Sequence, residues 1–193
     1  ITPGSRVVIG VSGGADSLAL AAVTAFVAER EAYDLRAVIV DHQLQERSAE
    51  VASRAAEQLA TLGVPAEIVT VDVGSEGGPE AAARAARYAA LKDQGADVVL
   101  LAHTLDDQAE TVLLGLGRGS GPRSIAGMSE MSGIFRRPFL ALRRADTERI
   151  CRFYDLEWWS DPHNTDPSYR RSRIRAELMP LLQDVPGGGV AEA

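Results

Sequence analysis

Cysteine is almost absent from this sequence of 193 residues, in which Cys151 is the only one. A single cysteine excludes an intrachain disulfide and makes a cysteine-ligated metal or iron–sulfur site implausible. Long apolar runs that could span a membrane are absent too, and the opening ITPGSR is neither a basic leader nor a hydrophobic signal region. We therefore expect a cytoplasmic protein with no membrane segment.

Positive charge is also scarce, because the net charge is −7 and all but one of the 20 basic residues are arginine. A negative chain is not a generic nucleic-acid binder, but the charge is uneven. Residues 136–175 hold 10 basic and 6 acidic groups, a balance of +4, whereas residues 1–135 hold 10 and 18, a balance of −8. The basic segment is either a solvated face or a surface that meets an anionic partner such as RNA.

Short apolar runs rich in β-branched residues alternate with helix-length segments along most of the chain. Strands are expected at 6–11, 35–41, 66–71 and 97–102, and helices at 17–31, 48–62, 79–94 and about 106–116. This alternation predicts the α/β class, with a doubly wound parallel sheet covered on both faces (Rossmann-like).

The pattern changes after the fourth helix. A Gly/Ser-rich loop at 117–133 precedes a predicted edge strand at 134–142, whose pairing Pro138 should limit. Helices are expected at 143–154 and 172–182. We expect an α/β domain at 1–135, a helical extension of the same domain at 136–182 and a flexible tail at 183–193.

The stretch SGGADS, residues 12–17, joins the first strand to the first helix. Gly13 and Gly14 would let backbone N–H groups approach an anion, and Ser17 begins a helix whose N-terminus is positive. The carboxylate of Asp16 would repel a polyphosphate unless a cation lay between them, so we expect it to bind Mg²⁺. Neither a Walker A lysine nor a G-x-G-x-x-G pattern is present. The alternative is an ordinary turn with a Ser or Asp cap.

Two further motifs follow predicted strands and should lie at the same edge of the sheet. After the second strand, backbone groups near Val40 and His42 could receive adenine. After the fourth, His103 lies at the strand exit, and Asp107 and Glu110 share a helix face. The alternative is structural, with Thr104 or Asp106 capping the helix and Asp107 facing its dipole.

Three sets of arginines are candidates for contacts to phosphate. Arg84 lies in PEAAARAARY, where the alternative is a surface ion pair with Glu80. Arg118 follows the fourth helix in the glycine-rich loop. In RRSRIR, Arg171 and Arg175 share a helix face, so Arg173 points elsewhere, and we expect at least one of Arg173 and Arg175 to be catalytic.

SGGADS resembles the pyrophosphate loop of the ATP-pyrophosphatase superfamily, whose fold is adenine nucleotide alpha hydrolase-like. The segments VDHQL, EAAARAARYAAL, LAHTLDDQAETVLLGLGRGSG, RPFL and DPHNTDPSYRRSRIR are similar, in order, to motifs of the tRNA(Ile)-lysidine synthetase family. The chain departs from that family in DHQLQ for DHGLR, in His163 for Ser, and in Arg171-Ser172 for Arg-Asn. Family members commonly continue into a further tRNA-binding domain.

The resemblance implies a ligase that uses ATP and Mg²⁺ to adenylylate the wobble cytidine of an isoleucine tRNA and then attaches free lysine. It implies ATP-binding roles for Ser12, Gly13, Gly14, Ala15, Asp16, Ser17, Val40, His42, His103 and Arg118. It implies catalytic roles for Asp16, Arg84, Asp107, Glu110, Arg173 and Arg175, with Asp16 also the metal ligand. The alternatives are a tRNA sulfurtransferase of the same superfamily and a non-catalytic ATP-binding regulatory module. The oligomeric state stays open, a homo-oligomer included.

Overall fold

The structure, a computed structural model, describes residues 1–44, 47–74, 78–119, 126–161, 166–167, 169–185, 189 and 191. The strands are β1 (Arg6–Val11), β2 (Asp34–Asp41), β3 (Ala66–Thr70), β4 (Val98–Leu100), β5 (Met131–Ser132) and β6 (Phe135–Arg136). The helices are α1 (Ala15–Glu31), α2 (Ser48–Thr61), α3 (Pro79–Lys92), α4 (Leu105–Gly117), α5 (Arg144–Phe153), α6 (Arg170–Arg173) and α7 (Met179–Asp184). A π-helical turn (Ile174–Leu178) joins α6 to α7.

The six strands form one sheet in the order β3-β2-β1-β4-β6-β5, in which every neighbouring pair except β5–β6 is parallel. The predicted α/β fold with a parallel sheet is therefore confirmed. The chain places β2 and β3 on one side of β1 and then crosses to place β4 on the other side of β1. This reversal of strand order opens a crevice at the carboxyl ends of the central strands, where ligands of such sheets bind.

Both faces of the sheet are covered, which explains the continuous apolar runs of the central strands. On one face, Val7 and Ile9 of β1 pack with α1, which is buried along most of its apolar length. On the other face, Val8 packs with Leu91 and Val99. Helix α5 lies against α1 and adds Cys151 to the first cluster. The helical extension is thus packed on the α/β core, next to the end of β1.

The prediction of one edge strand at 134–142 is wrong. Only Phe135–Arg136 forms a strand there, and it lies inside the sheet between β4 and β5. The edge is β5, joined to β6 through Gly133 at a φ of 59°. Pro138 lacks an N–H donor, and the chain turns at that point instead of pairing further.

The predicted helix at 172–182 is longer and less regular than expected. It begins at Arg170, ends at Asp184 and contains the π-helical turn. Of the predicted tail, most residues after Val185 lie outside the described part of the chain, but Ala191 is buried beside Ala109 and Met179. Among the described helices, none is both long and apolar enough to cross a membrane.

Candidate active site

A cavity of about 570 Å³ lies at the carboxyl ends of β1, β2 and β4. Most residues that the sequence proposes for the site line it: Ser12, Gly14, Ala15, Asp16, Ser17, Val40, His42, Arg84, His103, Asp107 and Arg175. Four others do not reach its wall: Gly13, Glu110, Arg118 and Arg173. The motifs after three different strands therefore meet in one place, as the parallel order of those strands requires.

The loop between β1 and α1 is held by its own serines and by a distant segment. Ser17 Oγ accepts a hydrogen bond from the backbone N–H of Ser12 at 3.1 Å and donates one to the Gly14 carbonyl at 3.0 Å. The Gly13 carbonyl accepts the backbone N–H of Trp159 at 2.9 Å. Ser17 thus stabilises the turn through its hydroxyl, and the backbone of Trp159, after α5, holds the turn in place.

The absence of a side chain matters for a different physical reason at each of the two glycines of this loop. Gly13 has a φ of +81°, a conformation that L side chains rarely adopt. Gly14 has an ordinary φ of −79°, and a Cβ there would meet only Ser12 Oγ at 3.6 Å and the Trp159 carbonyl at 3.9 Å. The surrounding protein therefore has room for a side chain at position 14. Because Gly14 lines the cavity, the missing side chain leaves space for a ligand against the N-terminus of α1.

The carboxylate of Asp16 is enclosed by α5. Thr147 donates its hydroxyl to Asp16 Oδ1, and Arg144 Nη2 lies 3.3 Å from Asp16 Oδ2. Burial raises the pKa of Asp16, and the Thr147 hydrogen bond and the Arg144 charge oppose that rise. Neither Arg144 nor Thr147 was predicted from the sequence, because only the packing of α5 on α1 brings them to the loop.

Asp107 has both a capping role and a place in the cavity. Its Oδ2 accepts the backbone N–H of Thr104 at 2.9 Å, and its own N–H bonds Thr104 Oγ1 at 3.4 Å, forming a capping box at the start of α4. Its Oδ1 lies 4.0 Å from Arg144 Nη2 and 3.9 Å from Arg175 Nη2. The structural alternative for this residue is thus realised together with an orientation towards the site.

Glu110 lies one turn further along α4 and is only 1% exposed. Its Oε1 accepts a hydrogen bond from Arg175 Nε at 2.7 Å, and Arg175 Nη2 lies 2.7 Å from the same oxygen. Burial raises the pKa of Glu110, and Arg175 opposes that rise. Within the described residues Oε2 has no hydrogen-bond partner. Glu110 therefore supports the cavity wall from behind, through Arg175.

Three arginines form a second, cationic wall on the α3 side: Arg84, Arg87 and Arg171. Glu80 Oε1 lies 3.3 Å from Arg171 Nε. Glu80 forms no ion pair with Arg84 in the described part of the chain, so the alternative of a Glu80–Arg84 pair is not realised. Arg84 and Arg87 have no carboxylate within 4 Å in the part of the chain that the structure describes. Burial and neighbouring arginines lower the pKa of Arg87. Unpaired guanidinium groups in a cavity favour an anionic ligand.

The two histidines of the cavity are neutral at pH 7. Burial lowers the pKa of His103 to about 4 and also lowers that of His42, where Arg87 adds to the effect. In each ring, Nδ1 is buried and bonds to none of the described residues. Both rings line the cavity, but these nitrogens are covered by the surrounding protein.

Arg118 and Arg173 lie outside the cavity, on a separate groove between α4 and the C-terminal helices. Arg173 pairs with Glu177 through contacts of 3.0 and 2.9 Å on an exposed helix face. Residues two apart on a helix point in nearly opposite directions, so Arg175 enters the site and Arg173 cannot. Arg175 thus lines the cavity and Arg173 does not, and the expectation that at least one of them is catalytic stays a prediction.

Sequence reasoning missed Arg87, Arg144, Thr147 and Arg171 as cavity or carboxylate-contacting residues. Arg87 lies three positions after Arg84, and that spacing is a signal that could have identified it. Arg171 shares a face with Arg175 in the same way. No local pattern marks Arg144 and Thr147, because their place depends on how α5 packs.

A family model described as a PP-loop domain matches residues 2–182. Among curated proteins, the chain is 54% identical to the tRNA(Ile)-lysidine synthase of Leifsonia xyli subsp. xyli, with 100% of this chain and 60% of that protein aligned. The tRNA(Ile)-lysidine synthase of Mycobacterium tuberculosis is 56% identical, with 96% of this chain and 56% of that protein aligned. That of Thermobifida fusca is 55% identical, with 98% of this chain and 60% of that protein aligned. The resemblance drawn from the motifs is confirmed. The chain spans 56–60% of the length of these relatives.

Two solved structures share the fold at low sequence identity. The U34-tRNA thiolase NcsA from Methanococcus maripaludis, solved with its [4Fe–4S] cluster, aligns with a TM-score of 0.80 at 17% identity over 99% of this chain and 70% of that chain. The NMN synthetase from Francisella tularensis aligns with a TM-score of 0.56 at 14% identity, over 92% and 78%. These similarities establish the architecture alone.

Proposed function

Because the chain belongs to the PP-loop domain family, we propose that it is the ATP-using catalytic domain of a tRNA(Ile)-lysidine synthetase. In the proposed reaction, ATP adenylylates the wobble cytidine of an isoleucine tRNA, and free lysine then displaces AMP. The observation that carries the proposal is the identity of 54–56% to tRNA(Ile)-lysidine synthases over 96–100% of this chain. A cytoplasmic location follows from these substrates.

The first displacement is the attack of the cytosine 2-keto oxygen on the α-phosphorus of ATP. The space at Gly14 and the N-terminal amides of α1 would hold the polyphosphate. Arg84 and Arg87, which lack carboxylate partners among the described residues, would offset the charge that develops on pyrophosphate and the phosphoryl oxygens. Val40 and His42, at the end of β2, are placed to contact adenine.

Asp16 is the residue suited to bind Mg²⁺. It lines the cavity, and the Arg144 side chain paired with it is one-third exposed, so the pair can open without leaving a buried arginine. Mg²⁺ in phosphate sites is typically bound through one or two carboxylates and the substrate phosphates, which one aspartate satisfies. The ion would supply neutralisation of charge between polyphosphate and carboxylate.

The second displacement is the attack of the lysine amine on the activated ring carbon. Asp107 Oδ1 faces the cavity and is the carboxylate oxygen best placed to bind the incoming ammonium. The amine attacks only when neutral, so Asp107 or a water beside it would accept its proton. Glu110 would fix Arg175, the neighbour of Asp107, and so set the geometry of the amine site.

The test is AMP release from ATP by the purified chain, with and without lysine, using isoleucine tRNA with a wobble cytidine. We expect Asp107→Asn to lose lysine-dependent AMP release and to accumulate adenylylated tRNA. Asp106→Asn is the matched control, because Asp106 accepts the backbone N–H of Arg144 at 2.8 Å and does not line the cavity. Equal AMP release with every tRNA, or no effect of lysine, would contradict the proposal.

The alternatives receive less support. A sulfurtransferase that uses a cysteine pair or a cysteine-bound cluster has no counterpart in these 193 residues, where Cys151 is the only cysteine and is fully buried. A regulatory module that only binds ATP is less favoured than a ligase by the identity of 54–56% to tRNA(Ile)-lysidine synthases. It would bind ATP in the same assay and release no AMP.

A further inference from the structure

Two arginines from different parts of the chain converge on one phenol oxygen behind the cavity. Tyr88 Oη accepts a hydrogen bond from Arg84 Nη2 at 3.0 Å and another from Arg137 Nη2 at 3.1 Å. Arg84 lines the cavity, whereas Arg137 is only 7% exposed and follows β6. The hydroxyl of Tyr88 therefore connects a cavity arginine to a buried arginine of the β5–β6 hairpin.

This arrangement is costly unless it serves the site. Neither Arg84 nor Arg137 has a carboxylate within 4 Å among the described residues, so two like charges share a neutral oxygen and no anionic group offsets them. Like charges in close proximity repel, and a partly buried guanidinium also loses hydration. An anion bound near Arg84 would offset both costs. The convergence thus indicates a geometry that is favourable when the cavity holds an anionic ligand.

The contacts also fix Arg84 more firmly than one hydrogen bond would. Its guanidinium lies over the Tyr88 ring, 4.9 Å from the ring centroid, and Tyr88 itself packs against Phe135 at 4.8 Å. Arg137 Nη1 donates to the Ser129 carbonyl at 2.7 Å, which anchors Arg137 to the hairpin. A long, flexible side chain is in this way restricted to one orientation before any ligand arrives, and that restriction lowers the entropy cost of binding.

We propose that Tyr88 and Arg137 are positioning residues that hold Arg84 against the substrate phosphates. The proposal rests on the proposed function, in which ATP occupies the cavity. It assigns the β5–β6 hairpin a role in the site although the hairpin contributes no residue to the cavity wall. Arg84 touches the ligand, Tyr88 orients Arg84, and Arg137 orients Tyr88.

The experiment is a double-mutant cycle read by calorimetric ATP affinity, with thermal unfolding measured on each variant. Tyr88→Phe keeps the ring and removes the hydroxyl, so we expect a loss of ATP affinity of about three- to tenfold with little change in unfolding temperature. Arg84→Gln should lose more affinity. In the Arg84→Gln background, Tyr88→Phe should cause no further loss, because its effect passes through Arg84.

Two further variants complete the design. Arg137→Lys keeps the charge but loses the two-pronged contact, and it should lower affinity without adding to the effect of Tyr88→Phe. Tyr33→Phe is the control, because Tyr33 lies just before the amino end of β2, away from the carboxyl ends of the strands where the cavity lies. Additive effects of Tyr88→Phe and Arg84→Gln would overturn the positioning role while leaving the proposed function intact. Failure of the unsubstituted chain to bind ATP would overturn both.

Discussion

Arg175 donates a hydrogen bond from Nε to Glu110 Oε1, and its Nη2 lies 2.7 Å from the same oxygen, although the two residues are far apart in the sequence. The contact ties the C-terminal helical segment to α4 beside the cavity. A second Arg–Glu pair, Arg173–Glu177, lies on the same segment but on its solvent face. Both pairs join an arginine to a glutamate, and only in Arg175–Glu110 is the glutamate buried. Comparing them therefore isolates the effect of burial on the free energy of unfolding.

We expect Glu110→Gln to destabilise the fold by about 2 kcal/mol, because it leaves the partly buried Arg175 without its charged hydrogen-bond partner. Glu177→Gln should cause no measurable change, since both members of its pair are exposed. Urea unfolding of the two variants checks this. Equal stability of both variants would show that burial of the Arg175–Glu110 pair has no energetic consequence.

Substitutions at the two glycines of the loop between β1 and α1 should separate an effect on stability from an effect on ligand binding. Gly13→Ala forces a side chain into a positive φ and should cost about 1 kcal/mol of stability. Gly14→Ala should leave stability within about 0.5 kcal/mol, because a weaker helix N-cap is offset by a less flexible unfolded chain. Its Cβ would nevertheless project where a ligand approaches α1, so ATP affinity should fall at least tenfold. Calorimetry and thermal unfolding distinguish the two effects. Unchanged ATP affinity in Gly14→Ala would refute the proposal that the polyphosphate lies against Gly14.

The buried imidazole of His103 predicts a defined pH dependence. Its pKa is lowered in the folded state to about 4, so the unfolded chain binds more protons than the folded chain between that value and 6.5. The stability that His103 contributes is therefore complete above pH 6.5 and is lost as the pH falls towards 4, by at most about 1.4 kcal/mol per pH unit.

The measurement is the difference in unfolding free energy between the unsubstituted chain and His103→Asn from pH 7.5 to pH 4. This difference removes the opposing contribution of Asp16 and Glu110, whose raised pKa values favour the folded state at low pH. His42→Asn serves as the control that should retain the His103 dependence. A difference that does not vary with pH would mean that His103 is hydrated.

The thiol of Cys151 should be unreactive while the domain is folded. It is fully buried, its Sγ lies 3.3 Å from the Ala15 carbonyl, and burial raises its pKa to about 11. Alkylation by iodoacetamide at pH 8 should be at least about a hundredfold slower than in urea, from the lower thiolate fraction alone. Equal rates would mean that α5 separates readily from α1.

The sequence predicts the central strands well because their signal is local. β1 has the predicted bounds, β2 and β3 each differ from the prediction by one residue at one end, and β4 is shorter by one residue at its start and two at its end. The hairpin of β5 and β6 was missed because two-residue strands carry no periodicity and depend on pairing with β4. In the site, SGGADS is a local motif, whereas Thr147 and Arg144 reach Asp16 only through the contact of α5 with α1. The sequence could not assign Asp107 a single role, because its carboxylate both caps a helix and faces the cavity.

The hydrogen bond from Trp159 to the Gly13 carbonyl joins the loop after β1 to a segment that follows all six strands in the sequence. During synthesis, the loop at the end of β1 emerges early, but its fastening partner emerges only after the whole sheet has been made. A contact of such high sequence separation closes a long loop, so we expect it to form after the strands have paired. The ribosome-bound chain would thus carry the paired strands with an open loop, and that loop would be held in place only after the segment following α5 has been made.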